Sequence, residues 1–212
     1  MISAHDSAQI ALGKFYLHRW EGQVLVDWAS SMLAQGHEDD AFVALSEMEG
    51  ASRSAQLDQF LYTCNEAGVT VHENMELAIR AYIEDLRRRA LGKEIELSAA
   101  FAQLRPLAYD NTSVVIPGLN ELDEDFNLLD SKQPGFHNEG ITLENREKYL
   151  QRFFEELTIE DGPWNDPDPI PAKPWFDPYS SDADLYLERV AIIIIALLYL
   201  TYVFVTLASL LL

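Results

Sequence analysis

The segment of residues 190–212 contains no charged side chain, although 15 lysine or arginine residues and 35 acidic residues precede it. As an α-helix this segment would be about 34 Å long, enough to cross a hydrocarbon layer about 30 Å thick. A buried helix of a soluble domain is the alternative, but such a helix normally keeps a polar face, whereas apolar side chains occupy every side of this segment. The sequence therefore predicts a single transmembrane helix.

The formal charge of −20 falls entirely on the residues before 190. A field of this sign repels phosphate backbones and attracts basic surfaces, so we expect a basic protein as the partner and no nucleic acid. Residues 1–13 lack the basic and apolar regions of a secretion signal, which predicts a cytoplasmic domain held by a single-pass tail anchor. The single cysteine, Cys64, fits a reducing compartment.

Apolar residues recur at helical spacing through most of the chain before residue 158. Ser52 or Ser54 is expected to begin one helix that stops at Gly68, and Asn74 to cap another that ends before Gly92. The remaining predicted helices cover residues 10–20, 24–36, 41–48 (capped by Asp39 or Asp40), 96–104 and 143–157 (capped by Thr142). The predicted fold class is all-α, with a single acidic helical domain over residues 1–158.

The helical pattern is interrupted twice. Between Tyr109 and Gly140 it weakens, and residues 114–116 are expected to form a short strand or an extended link. Six of the nine prolines lie in residues 163–178, between aromatic side chains. This composition predicts a semi-rigid, extended linker over residues 159–188, joining the helical domain to the transmembrane helix at 190–212. The PxxP spacing that starts at Pro171 is also typical of ligands of aromatic grooves.

Two groups of carboxylates are candidates for a partner-binding surface or a cation site. The first follows His37, and the second resembles a calcium loop. In the second, Leu128 stands where the glycine of such a loop belongs and Pro134 where its bidentate glutamate belongs. We therefore predict no metal and no cofactor, with an irregular cation site as the open alternative. The partner-binding candidates are Glu38, Asp39, Asp40, Glu121, Asp123, Glu124 and Asp125.

Three consecutive arginines, residues 87–89, lie in the last turn of the helix predicted before Gly92. One interpretation makes them a docking site for an acidic partner. The other makes them cations that the helix dipole favours at a C-terminus.

The polar side chains of the predicted transmembrane helix lie on one stripe, because Tyr199, Tyr202, Thr206 and Ser209 follow a +3, +4, +3 spacing. In lipid such a stripe can hydrogen-bond to another helix, which predicts a homo-oligomer or a membrane partner. The alternative is that these side chains satisfy their own backbone or reach the interface.

Several segments give residues 10–157 a resemblance to a group of small, acidic, all-helical bacterial proteins. The segments are VLVDWASSML, DDAFVALSEM, LDQFLYTC and ENREKYLQRFFEEL, in that order. Members of this group are thought to act as immunity proteins or accessory factors beside secreted toxins. The resemblance implies that the basic partner is a toxin, and the linker and transmembrane helix are departures from the usual soluble form.

Two classes of function remain open from the sequence. The first is a non-catalytic binding protein, tethered to the membrane, whose acidic helical domain captures a basic protein and so acts as an immunity protein. The second is a membrane-bound enzyme that uses carboxylates and a cation. No phosphate-binding glycine loop, nucleophile elbow or paired-histidine motif supports the second class.

Overall fold

The computed structural model describes residues 3–19, 21–109 and 114–161, and their regular secondary structure is almost entirely helical. The all-α prediction is therefore confirmed for this part of the chain. The helices are α1 (Ala4–Leu17), α2 (Val24–Ala34), α3 (Asp40–Ser46), α4 (Arg53–Glu66), α5 (Met75–Leu91), α6 (Leu97–Leu104), α7 (Pro106–Tyr109), α8 (Leu119–Asp130) and α9 (Arg146–Glu156).

The predicted transmembrane helix, its polar stripe and most of the predicted linker lie outside the described residues. Within the described ranges, no helix is both long and apolar enough to cross a membrane.

The predicted caps of α4 and α5 are confirmed. The Ser52 hydroxyl accepts a hydrogen bond from the Ala55 N–H, and the Asn74 side chain accepts one from the Leu77 N–H. Each cap satisfies one of the backbone donors that a helix start leaves free. At the end of α5 the left-handed residue is Lys93, with φ +59°, and not Gly92, which keeps a right-handed conformation.

Helix α8 occupies the region where the sequence pattern had appeared irregular, so that interpretation was wrong. Its apolar residues Leu119, Leu122, Phe126 and Leu129 are buried on one face. They follow a +3, +4, +3 spacing, which is helical, but the carboxylates between them also suggested a cation loop. Helix α9 begins at Arg146, after a turn over residues 143–145, so its predicted start was early.

The buried side chains form two clusters. The N-terminal core is made by α1 to α4 with Ala78 of α5, and the C-terminal core by α5, α6, α8 and α9 with the end of α1. Helices α1 and α5 pack directly on each other, and the approach is close at Gly13, where a methyl group would overlap the Ala78 carbonyl. The largest fully buried side chains include Phe42, Phe60, Met32 and Leu25 in the first cluster and Phe126, Phe154, Leu86 and Leu104 in the second.

A short sheet follows the last helix. Strand β1 (Val114–Val115) pairs antiparallel with β2 (Glu160–Asp161), and Val115 lies opposite Glu160. The Ile159 carbonyl accepts a hydrogen bond from Arg80 at 3.1 Å, and the Ile159 side chain packs against the C-terminal core. Residues 159–161, the first of the predicted linker, thus make contacts with the helical part of the chain.

Candidate protein-interaction site

The structure separates the two predicted groups of carboxylates. Glu38, Asp39 and Asp40 are exposed at the start of α3, which belongs to the N-terminal core. The second group lies on α8, in the C-terminal core. There, Glu121 and Glu124 are exposed, whereas Asp123 and Asp125 are 2% and 0% exposed. The two aspartates were predicted as partner-binding residues, but their burial leaves them outside the exposed surface of α8.

The carboxylate of Asp125 holds the loop of residues 131–141, which joins α8 to α9. Its Oδ1 accepts the N–H groups of Phe136 at 2.5 Å and His137 at 2.9 Å. Its Oδ2 accepts the N–H of Asn138 at 2.7 Å and the side-chain Nδ2 of the same residue at 2.8 Å. Burial by itself raises the pKa of Asp125, but these hydrogen bonds together outweigh burial and hold its pKa below the ordinary value.

The same loop is fastened at its other end by residues near α9. The Tyr149 hydroxyl donates to the Glu139 carbonyl at 2.8 Å, and the Asn145 side chain donates to the Gly140 carbonyl at 2.8 Å. Ile141 is buried in the C-terminal core. Gly135 lies so close that a methyl group there would overlap the Ile141 side chain and sit 3.3 Å from the Asp125 carboxylate. The path of this loop is therefore fixed by side chains on both neighbouring helices.

Phe136 projects from this fixed loop into solvent. Its side chain is 82% exposed, the largest exposed fraction of any large apolar residue that the described ranges contain. The ring contacts the His137 ring edge-on, with 5.0 Å between centroids. His137 in turn lies 2.6 Å from the exposed Glu124 carboxylate, measured from Nε2 to Oε2. An exposed aromatic group thus stands beside a carboxylate on a constrained backbone.

A groove lies beside the loop, with a volume of about 320 Å³. Asn138, which the Asp125 carboxylate holds, forms one wall, and Tyr149 forms part of another. The remaining lining residues come from the turn before α8, from α8 itself, and from α9 with the residues just after it; they are Pro117, Gly118, Leu122, Arg152, Phe153, Glu156, Leu157 and Thr158.

The second buried carboxylate of α8, Asp123, serves the fold. Arg105 Nε lies 2.7 Å from Asp123 Oδ1, and the Tyr109 hydroxyl donates to Oδ2 at 2.5 Å. Asn127 also donates to Oδ2 at 3.3 Å. The hydrogen bond to Asp123 raises the pKa of Tyr109. These contacts attach the end of α6 and the whole of α7 to α8.

The three arginines of residues 87–89 are engaged within the domain. Arg87 donates to the carbonyls of Phe154 at 2.9 Å and Glu155 at 3.0 Å, and so satisfies acceptors at the end of α9. Arg88 pairs with the buried Asp85 at 2.7 Å, and Arg89 lies 3.6 Å from the same carboxylate. These contacts favour a structural role over docking of an acidic partner.

A third polar cluster joins α1, α5 and α6. His18 Nδ1 lies 3.2 Å from Glu21, and His18 Nε2 lies 3.2 Å from the Tyr82 hydroxyl, which donates to Gln103 at 2.6 Å. Tyr82 is 2% exposed, and burial raises the pKa of its phenol. A phenol that must act as a base or nucleophile at neutral pH needs the opposite shift, so Tyr82 is poorly suited to either role.

The remaining candidates for chemistry are the single cysteine and the clusters of potential metal ligands. Burial raises the pKa of the Cys64 thiol to about 12, so it stays protonated and unreactive. Within residues 3–19, 21–109 and 114–161, no three His, Cys, Asp or Glu side chains are grouped to hold a metal ion. The His37 ring packs against Phe42, with 5.6 Å between ring centroids.

Sequence reasoning assigned no role to Phe136. A signal for its exposure was present, because the ring lies in the run QPGFHNEG, where proline, glycine and asparagine favour a loop. The contribution of Asp125 carried no such signal, because a buried aspartate and a solvated one look alike in a charged stretch. Comparison with known proteins finds no family model, no curated protein and no solved structure that matches this chain.

Proposed function

We propose that this protein is a non-catalytic binding protein whose acidic helical domain captures a basic protein. The observation that carries the proposal is the arrangement on α8 and its following loop. Exposed carboxylates there flank a backbone that is fixed by the buried Asp125, as expected of a preformed binding surface. The formal charge of −20 would speed the encounter with a cationic partner and make it sensitive to salt.

The proposal places this domain on the cytoplasmic side of a membrane. Residues 190–212 would be the transmembrane helix, because they are uncharged and long enough to span the hydrocarbon layer. Residues 159–188 would be the proline-rich linker. The stripe of Tyr199, Tyr202, Thr206 and Ser209 would let the helix pair with a second copy. Toxin neutralisation is the specific role that the resemblance to immunity proteins implies.

The test is capture of proteins from an extract of the native cell by the full-length chain in mild detergent. Capture is compared at about 50 mM and about 500 mM salt, because screening over this range weakens exposed charge pairs. We expect the proteins identified by mass spectrometry to be basic and to be released at high salt. Capture of acidic proteins, or capture that salt does not change, would overturn the proposal.

Matched variants separate the two groups of carboxylates. The double variant Glu121→Gln and Glu124→Gln removes charge from α8, and the triple variant Glu38→Gln, Asp39→Asn and Asp40→Asn removes it from the start of α3. All five side chains are exposed, so both variants should fold and lose only the small stabilisation that carboxylates give to the first turns of α3 and α8 and to His137. We expect the α8 variant to lose more of the salt-sensitive binding.

A further inference from the structure

We propose that Phe136 is the anchor residue of the binding surface, and that it inserts into an apolar socket rimmed by lysine or arginine on the partner. This inference rests on the proposed function, because it takes the partner to be a basic protein. It adds the position of the contact and the shape of the surface that fits it.

Within the described residues, the Phe136 ring belongs to neither core. Single exposed apolar residues are common and by themselves require no explanation. Tyr109, which is 68% exposed, is accounted for by the hydrogen bond from its hydroxyl to Asp123. Phe136 is 82% exposed, and within the described residues its ring contacts the neighbouring His137 ring alone.

The backbone that carries Phe136 is fixed by hydrogen bonds. Its N–H donates to the buried Asp125, and so do the next two N–H groups. The Tyr149 hydroxyl donates to the carbonyl of Glu139, later in the same loop. Binding a partner through a fixed loop costs little conformational entropy, and rigid aromatic side chains are the usual anchors of protein interfaces.

The negative charge around Phe136 indicates the kind of partner. Of the six carboxylates in residues 119–140, Asp123 and Asp125 are buried, which leaves Glu121, Glu124, Asp130 and Glu139 exposed together with a single lysine. Glu124 lies 2.6 Å from His137, whose ring contacts that of Phe136. A cationic rim around the socket matches this environment. A second copy of this chain, with the same formal charge of −20, would be repelled by these carboxylates, and so would an anionic membrane surface.

The inference is tested by photocrosslinking from position 136. Full-length chain carrying benzoylphenylalanine in place of Phe136 is irradiated in the native extract at about 50 mM salt. A matched chain carries the same group in place of Tyr62, which is 54% exposed on α4 in the N-terminal core. We expect a crosslinked basic protein from position 136 and none from position 62.

The outcomes separate the inference from the proposed function. A basic protein that is captured but crosslinks from position 62 only, or from neither position, overturns the role of Phe136 and leaves the proposed function standing. Crosslinking of position 136 to lipid, to a second copy or to an acidic protein also overturns the inference. If the chain captures no basic protein, the proposed function fails and the inference fails with it.

The affinity for the purified, crosslinked protein then measures the anchor directly. Phe136→Ala should weaken binding by about 30-fold or more, as for an interface hot spot, while Phe136→Tyr keeps the ring and most of the affinity. Tyr62→Ala is the matched control and should leave the affinity unchanged. All three variants should keep the unfolding temperature of the natural chain, since both side chains are exposed. Equal affinities for Phe136→Ala and Tyr62→Ala would contradict the inference.

Discussion

The two cores differ in the polar side chains that are buried with them, as far as the described residues show. Helix α4 of the N-terminal core buries Gln56 and Thr63, which are both uncharged. Helix α8 of the C-terminal core buries the carboxylates of Asp123 and Asp125. Removing a charge from water costs far more than removing a hydroxyl or an amide, so a buried carboxylate requires a complete set of donors.

The two carboxylates have different donors and therefore different roles in the fold. Asp123 is bound by the side chains of Arg105, Tyr109 and Asn127, and it joins neighbouring helices. Asp125 is bound mainly by backbone N–H groups, and it fixes the loop that carries Phe136. The buried polar side chains of α4 in the N-terminal core are uncharged, whereas the buried carboxylates of the C-terminal core fix the position of a surface loop. Departures from apolar packing of this kind concentrate at functional sites.

The largest effect is expected where the two cores meet. Gly13→Ala places a methyl group on the Ala78 carbonyl, so α1 and α5 must separate. Alanine normally stabilises a helix relative to glycine, but here overpacking outweighs that gain. We expect a loss of about 3 kcal/mol in the free energy of unfolding, measured by urea denaturation of the full-length chain.

Gly22→Ala is the matched control for this substitution, because no atom lies within 4 Å of a methyl group built at Gly22. Its free energy of unfolding should stay within about 0.5 kcal/mol of the natural value. Equal effects of the two substitutions would show that α1 and α5 accommodate an added methyl group where they contact each other. The description of two closely joined cores would then lose its support.

A smaller effect, confined to the C-terminal core, is expected from Asp125→Asn. The amide keeps the shape of the side chain but directs an N–H group at N–H donors of the loop. We expect a loss of about 2 kcal/mol at pH 7, because hydrogen bonds to a charged acceptor are lost. Hydrogen exchange of the Phe136, His137 and Asn138 amides should accelerate. Glu121→Gln, an exposed carboxylate change on the same helix, is the control and should change neither quantity.

The pH dependence gives Asp125→Asn a second readout. The pKa of Asp125 is lower in the folded chain than in the unfolded chain, so its contribution is present above the unfolded pKa and is lost as the pH falls through the folded pKa. The difference in stability between the natural chain and the variant should be constant from about pH 5 to pH 8 and should shrink below about pH 4. A difference that is unchanged at low pH would mean that the Asp125 charge contributes nothing.

The same contrast explains what the sequence could predict. Helices α4 and α5 have an apolar face and a capping residue at the start, Ser52 and Asn74, and both signals are local. Helix α8 has a comparable apolar face, but its carboxylates matched part of a calcium loop and hid the helical spacing. Whether those carboxylates face solvent or the core depends on Arg105 and on the loop after α8, and these contacts are tertiary.

The candidate site was predicted only in part, for a related reason. Glu121 and Glu124 were assigned to partner binding and are exposed, whereas Asp123 and Asp125 from the same run are buried. A run of acidic residues gives no period that distinguishes these positions. Phe136 could be placed in a loop from its neighbours, but the constraint on that loop comes from Asp125, which lies 11 residues earlier.

The smallest effect is expected in the N-terminal core, from Thr63→Val. The Thr63 hydroxyl donates to the carbonyls of Gln59 at 2.8 Å and Ala41 at 3.0 Å, and it joins α4 to α3. Valine keeps the shape, so the loss should be about 1 kcal/mol, the value of an ordinary neutral hydrogen bond. Urea denaturation should give the same loss at pH 7 and at about pH 3.5, since no ionisable group is involved.

The exposed Thr70→Val is the control and should have no effect. A loss that grows or shrinks with pH would show that the N-terminal core also depends on a charge, and the contrast between the two cores would not hold.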